Sequence, residues 1–308
     1  MIEVKLWTER FAEALKIQHF SEETIRRYSN SLKPFLVFLN DQGLTTVAGL
    51  TRQHVQGYQT QLYYAKFQGR SLKASTQRNR LSVVLTFVRF LVRHDYLLVD
   101  ITQGVDLPRP GETLPRVVLS ESETLRLLEA PDVSRVLGVR DRAILEVFYA
   151  TGLRNRELRS LNLDDLDEAQ GLVRVLQGKG NKSRWVPMGE EAWLWLEEYL
   201  RWARPQLARE HSGQTVFLGR MGRKFLSSDL RMVVVTHARR AGLEKPIGPH
   251  CLRHTCATHM LKHGAGLRHL QVMLGHSKVS TTQVYTRVEL SDLRKVLQRC
   301  HPRERLKP

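Results

Sequence analysis

At 308 residues, the chain is long enough for two ordinary domains with separate cores. Hydrophobic residues at 42% and charged residues at 26% exclude a disordered or fibrous chain. Charge is the anomaly: 48 Lys and Arg against 31 Asp and Glu leave +17. An excess of that size predicts a polyanionic partner, because many phosphates can be neutralised at once with release of counterions; a basic protein that is merely soluble is the bland alternative.

Taken in chain order, residues 1–106 read as four helices. Ile25, Tyr28, Leu32, Phe35 and Leu39 recur at steps of three and four. Ser21 is placed to cap that helix, Glu22 and Glu23 suit its positive end, and Pro34 predicts a kink. A further stripe runs from Thr51 through Val55, Tyr58 and Leu62, and another from Ser75 through Leu81, Val84, Leu85, Val88 and Leu91. Arg26, Arg27, Lys73, Arg78, Arg80, Arg89 and Arg93 fall largely between the apolar positions. They are either a solvated face or, given the net charge, a surface that meets DNA.

Residues 107–119 carry prolines and a glycine without helical period, as an interdomain linker does. From residue 120 to 308 the pattern mixes helix and strand. "GLVRVL" and "SRWVPM" flank "QGKGNK" like two strands around a turn, followed by helical patterns at Glu190–Leu207, Leu226–Ala241, His250–His263 and Leu267–Leu274. Both parts are basic: +5 over residues 1–106 and +12 over the remainder. No apolar run approaches the ~18 residues that cross a bilayer, and the charged start "MIEVKLWTERF" lacks a signal-peptide core. The three cysteines, Cys251, Cys256 and Cys300, are too few and too clustered for a disulfide framework. A cytoplasmic protein with no membrane partner is expected.

Four patches concentrate residues that handle phosphate: "ATGLRNRELRSL" with Arg154 and Glu157, "GKGNK" with Lys179, "HCLRHTCATHML" with His250 and Arg253, and "LGHSKVSTTQVYT" with His276 and Tyr285. Singly each is ordinary: a surface arginine, a solvated turn lysine, polar helix histidines, a core tyrosine. Their order and intervals are not ordinary. His250 to Arg253 is 3 residues, Arg253 to His276 is 23 and His276 to Tyr285 is 9.

In these patches the chain resembles the tyrosine recombinase (phage-type integrase) family, in its Xer-like branch. That resemblance implies a mainly α fold with a small antiparallel β-sheet. It implies two domains forming a C-shaped DNA clamp: a helical SAM-like N-terminal domain and an integrase catalytic domain. By resemblance, Arg154 and Arg253 are the paired active-site arginines, Lys179 the β-turn lysine, His250 and His276 the two histidines, and Tyr285 the nucleophile that stores the cut strand as a 3′-phosphotyrosyl ester. Two forked guanidiniums suit the charge that grows on the non-bridging oxygens of an attacked phosphodiester, so no metal and no cofactor is expected. Tyrosine ionises near ~10 and needs a proton acceptor, for which His250 is the candidate, while Lys179 would protonate the departing 5′-oxygen. Glu157 is expected to orient the arginine or histidine cluster.

The resemblance further implies double-stranded DNA with paired inverted sites, a Holliday junction, and a homo-tetramer or a hetero-tetramer with a related recombinase. The tail, with Leu290, Leu293, Val296 and Leu297 on one helical face, is expected to dock in a neighbouring subunit; packing on its own domain is the alternative. Cys256 departs from the aromatic residue usual in the family, and Cys251 is unusual beside His250. The crowding of His250, Cys251, His254, Cys256, His259 and His263 invites a zinc reading, but there is no His-Glu-x-x-His pair and Arg253 would repel a cation. A type IB topoisomerase that relaxes DNA and a DNA-binding protein without catalysis are the rival functions. The 71-residue interval from Lys179 to His250 leaves little room for the extra helix of integron integrases. Dimer resolution and mobile-element movement both remain open.

Overall fold

The structure is a computed structural model that describes residues 2–109, 117–176, 183–275 and 287–305, without the side chains of 287–289. It divides into two compact units, Met1–Leu114 and Pro115–Pro308.

The first unit holds helices α1 (Val4–Ile17), α2 (Glu22–Asp41), α3 (Arg52–Tyr64) and α4 (Ala74–Arg93). Ser21 caps α2, its hydroxyl accepting from the Thr24 N–H at 3.4 Å, and Glu22 and Glu23 occupy the first turn. The helix continues through Pro34. The apolar stripes read from the sequence form the core: Leu32, Phe35 and Leu39 of α2, Val55, Tyr58 and Leu62 of α3, and Leu81, Val84, Val88 and Leu91 of α4 are all buried. Each such side chain stabilises the unit by about 1.5–3 kcal/mol through removal from water. Between α3 and α4 lies a hairpin that the periodicity did not predict, β1 (Lys66–Phe67) against β2 (Arg70–Ser71). Its two turn residues, Gln68 and Gly69, both have positive φ, the conformation a two-residue hairpin demands.

The second unit contains α5 (Glu121–Glu129), α6 (Val136–Thr151), α7 (Asn155–Leu158), β3 (Leu166–Asp167), β4 (Leu172–Leu176), β5 (Ser183–Pro187) and α8 (Glu190–Glu198). A π-turn at Tyr199–Ala203 leads into α9 (Arg204–Leu207), followed by α10 (Ser227–Arg240), α11 (Pro249–Lys262), α12 (Leu267–Leu274), α13 (Arg287–Cys300) and α14 (Pro302–Arg305). The strands form one antiparallel sheet in the order β3-β4-β5, with Val175 opposite Arg184. Helix α6 is the centre of this unit. From Ala143 to Thr151 every residue is buried, so no polar face marks it in the sequence.

Among the described residues, charged groups enter this core in pairs. Arg142 Nε donates to Glu146 Oε1 at 3.0 Å, and Arg303 of α14 reaches the same carboxylate from the C-terminal end at 2.8 Å. Asp141 accepts from Arg140 and lies 2.9 Å from His237 Nε2.

The last helix packs on its own unit. In α13, Leu293, Val296, Leu297 and Cys300 are buried, and Val296, Leu297 and Cys300 join the core of their own unit. His301 extends the attachment, donating from Nε2 to the Tyr149 carbonyl at 3.3 Å. Helical period fixes which face is buried, not which copy covers it; here the chain covers it itself. No helix among the described residues is long and apolar enough to cross a membrane.

Candidate active site

Helix α11 starts at Pro249 after Gly248, where proline loses nothing because the first N–H groups of a helix have no intrahelical acceptor. It sorts its crowded polar residues by face. Leu252, Cys256 and Met260 are buried in the core. A second stripe, at steps of four, holds the chain entering the unit. Cys251 Sγ donates to the Val117 carbonyl at 3.3 Å, Thr255 Oγ1 accepts from the Leu119 N–H at 3.1 Å, His259 Nε2 donates to the Leu119 carbonyl at 2.8 Å, and His263 Nε2 donates to Glu121 at 2.8 Å. His259 Nδ1 accepts from the Tyr149 hydroxyl at 2.8 Å, and burial lowers the ring's pKa, keeping it neutral. The Cys/His cluster is therefore a set of separate packing and hydrogen-bonding partners. Burial pushes the Cys256 thiol up to about 12, out of the range of a reactive cysteine.

His250 and Arg253 leave from the first turns of α11, His250 exposed and Arg253 half-buried. Arg253 Nη1 donates to the Gly152 carbonyl at 2.6 Å and Nη2 to the Leu274 carbonyl at 2.8 Å. These carbonyls lie at the C-terminal ends of α6 and α12, where helices leave acceptors unsatisfied and carry partial negative charge. Gly152 takes φ +58° to end α6, and a Cβ there would fall 2.7 Å from Leu274 Cδ2. Both the backbone conformation and the close approach of α12 therefore require glycine.

Arg154 is the residue before α7, and Glu157 sits in that helix's first turn. The Glu157 carboxylate accepts from the Arg154 backbone N–H at 2.7 Å, the N3-to-N-cap half of a capping box, and from Arg154 Nη1 at 2.8 Å. Arg154 Nη2 donates to the Gly275 carbonyl at 2.8 Å. Arg154 and Arg253 thus meet at the C-terminal end of α12, immediately before His276. Burial first, and then the neighbouring charge of Arg154, pull the Arg253 guanidinium down to about 10, against the pull of Glu157. It remains a cation at neutral pH.

A residue that the sequence reading passed over completes the cluster. Arg184 on β5 forms a fork with Glu157, Nη1 to Oε1 at 3.0 Å and Nη2 to Oε2 at 2.9 Å, while its Nε donates to the Met273 carbonyl at 3.1 Å. Its side chain is 2% exposed, against 41% for Arg154. Burial alone would raise the Glu157 pKa, but Arg184 and Arg154 outweigh it and hold it at about 2. The strand pattern gave only a weak signal for Arg184: it shares a face with Val186, but Trp185 and Pro187 put apolar residues on the other face too.

The structure therefore brings together Arg154, Glu157 and Arg253 and adds Arg184. His250 stands on the helix that carries Arg253. Lys179, His276 and Tyr285 lie outside the described residues. In the first unit, Arg26, Arg27, Lys73 and Arg89 are exposed and Arg80 is half-buried; Arg78, also half-buried, donates from Nη1 to the Pro108 carbonyl at 3.0 Å.

Comparison with known proteins places these observations. Residues 117–291 match the phage integrase family, and residues 7–97 match the phage integrase N-terminal SAM-like domain. The chain is 46% identical over 223 residues to tyrosine recombinase XerD of Pseudomonas putida, covering 72% of this chain and 74% of that protein. To tyrosine recombinase XerD of Pseudomonas aeruginosa it is 40% identical over 296 residues, 96% of this chain and 97% of that one. Among solved structures, its fold is similar to that of XerH site-specific recombinase bound to its difH substrate in a pre-cleavage complex. There the TM-score is 0.67 at 20% identity, over 96% of this chain and 82% of that one. A lambda integrase dimer bound to a COC′ core site gives the same TM-score at 16% identity, over 92% of this chain and 98% of that one.

Proposed function

The chain belongs to the phage integrase family, as a tyrosine site-specific recombinase of the Xer type, and from that premise we propose how its own residues divide the work. Tyr285 attacks the phosphodiester and holds the cut strand as a 3′-phosphotyrosyl ester. Arg154 and Arg253 bind the two non-bridging oxygens, and His276 adds a hydrogen bond. His250 accepts the tyrosine proton, Lys179 protonates the departing 5′-oxygen, and Glu157 aims Arg154.

The observation that carries this reading is the convergence of Arg154 and Arg253 on the end of α12, one residue before His276. A guanidinium has five N–H donors. Among the described residues the Glu157 carboxylate and the carbonyls of Gly275, Gly152 and Leu274 take one N–H on each Nη, so both guanidiniums keep donors for an incoming phosphate. Backbone carbonyls, with Glu157 on Arg154, fix both planes before substrate arrives, which is the preorganisation that transition-state charge rewards. Because one phosphodiester is exchanged for another of similar type, resealing needs no nucleotide cofactor.

The substrate is double-stranded DNA with paired inverted sites, with Arg26, Arg27, Lys73, Arg78, Arg80 and Arg89 of the first unit on the backbone. Four strands must be cut and rejoined through a Holliday junction, so a tetramer is required, made of this chain alone or with a related recombinase. The protein acts in the cytoplasm. Two sites on one circle would be resolved or excised, and sites on two molecules would be integrated; the same chemistry serves dimer resolution and mobile-element movement.

A covalent-trapping assay tests the reading. Purified protein is mixed with EDTA, no ATP, and nicked duplexes tiled across the DNA around its own gene, then run on a denaturing gel beside Tyr285→Phe. A protein–DNA adduct in wild type and none in Tyr285→Phe is the expected result. An adduct that persists in Tyr285→Phe, or that appears only with added metal, overturns the mechanism.

A further inference from the structure

Resting on the assignment of Arg154 and Tyr285 made above, we propose that Arg184 is a positioning residue of the recombination site: it locks Glu157 so that Glu157 can aim Arg154, and it anchors the end of α12 that leads into His276.

One planar group joins three elements. Its Nη1 and Nη2 take both oxygens of Glu157 in α7, its Nε takes the Met273 carbonyl of α12, and its own backbone lies on β5 opposite Val175. Each of these elements is next in sequence to a group assigned to the chemistry. Glu157 follows Arg154 by three residues, Met273 precedes His276 by three, and Arg184 follows Lys179 by five.

The carboxylate is saturated from two sides. Oε1 accepts from Arg154 Nη1 and Arg184 Nη1, and Oε2 from the Arg154 backbone and Arg184 Nη2. With the fork from Arg184 in place, the carboxylate plane is set, and the Arg154 guanidinium has one orientation in which it meets both Glu157 and the Gly275 carbonyl. Without the fork, Glu157 keeps only its two bonds from Arg154, the residue it is to aim, and loses its anchor outside that pair.

The end of α12 is held equally closely. Three successive carbonyls, of Met273, Leu274 and Gly275, accept from Arg184, Arg253 and Arg154 respectively. Gly275 takes φ +66°, and a Cβ there would fall 2.8 Å from Arg184 Cζ. The glycine therefore both ends the helix and admits the guanidinium. Burial separates the roles: Arg184, at 2% exposure, is not placed to meet DNA, whereas Arg154 at 41% is.

The test uses the full chain and the nicked duplex that gives the wild-type adduct. Single-turnover adduct formation at saturating protein is measured beside duplex affinity and thermal unfolding. Arg184→Gln is expected to slow adduct formation by about 100-fold, the scale on which a displacement near 1 Å acts, while duplex affinity is unchanged. Glu157→Gln is expected to slow it similarly, and the double variant to be no slower than the worse single one, because both act on one interaction. Arg184→Lys keeps the charge without the fork and recovers only part of the rate; it also serves if Arg184→Gln does not fold.

Wild-type rates in a folded Arg184→Gln or in Arg184→Lys would overturn the proposal. So would losses that multiply in the double variant, or a loss that appears only as weaker binding. If instead Tyr285→Phe still forms the adduct, the active-site assignment fails, and the rate measurements on Arg184 do not bear the blame.

Discussion

The two units use arginine in opposite ways. Between Asp41 and Asp95 the first unit contains no Asp or Glu and eight Lys or Arg, while its buried polar residues are the uncharged Thr8, Gln77 and Thr102. Its cations stand outside an apolar and aromatic core in which Phe35 and Tyr58 pack edge to face at 5.0 Å. The second unit buries Arg140, Arg142, Arg184 and Glu146 and pairs each of them. An exposed arginine is available to any phosphate; a buried, paired one has a single geometry and a large penalty for losing its partner. The first arrangement suits holding a polyanion, the second suits holding a reacting group still.

If that contrast is right, the largest effect on stability falls on the buried pairs. Glu146→Ala leaves Arg142 and Arg303 without their shared carboxylate and is expected to cost about 3–5 kcal/mol. Denaturant unfolding measures it, and a loss comparable to that of a surface change would break the comparison.

Acid should separate the units next. His301 is pushed down to about 4 by burial, opposed by its hydrogen bond to the Tyr149 carbonyl. As pH falls from about 6.5 toward 4, the unfolded chain takes a proton that the folded one refuses, so stability falls by up to about 1.4 kcal/mol per pH unit for this group. The loss is complete once pH is below the folded value. Glu157 acts in a lower window: its stabilisation is full above about 4.5 and disappears as pH falls toward about 2. Glu146, raised by burial, runs the other way, so the informative quantity is a difference. His301→Gln should flatten the pH dependence of stability between 6.5 and 4 relative to wild type. Tryptophan fluorescence follows it, since four of the five tryptophans belong to the second unit. An unchanged slope would remove His301 from the account.

The smallest expected change in stability comes from the first unit's surface. Lys73→Ala or Arg89→Ala should alter stability by no more than about 0.5 kcal/mol. Each should weaken duplex binding and lower the slope of log affinity against log salt by about 1. Titration at several salt concentrations checks this, and an unchanged slope would take that residue off the DNA.

How much was legible in the sequence follows from the same physics. The helices of the first unit were readable because an apolar stripe beside a charged face repeats with the helical period. Helix α6 left no such trace, because it is buried on every side and Arg140, Arg142 and Glu146 each also have a partner outside the helix. The C-terminal helix showed its apolar face but not its destination, since an amphipathic pattern is the same whether covered in cis or in trans. Arg154, Glu157 and Arg253 could be named from motif and spacing. Arg184 could not be named that way, because its partners lie 27 and 89 residues away in the chain.

The attachment of α13 to its own unit also makes the end of the chain part of the fold. Val296, Leu297 and Cys300 enter the core that α6 centres, and Arg303 of α14 closes on Glu146 of that same helix. A chain cut before α13 would uncover that apolar surface and leave Glu146 with Arg142 alone. The last residues are thus a keystone, set at the end of the chain.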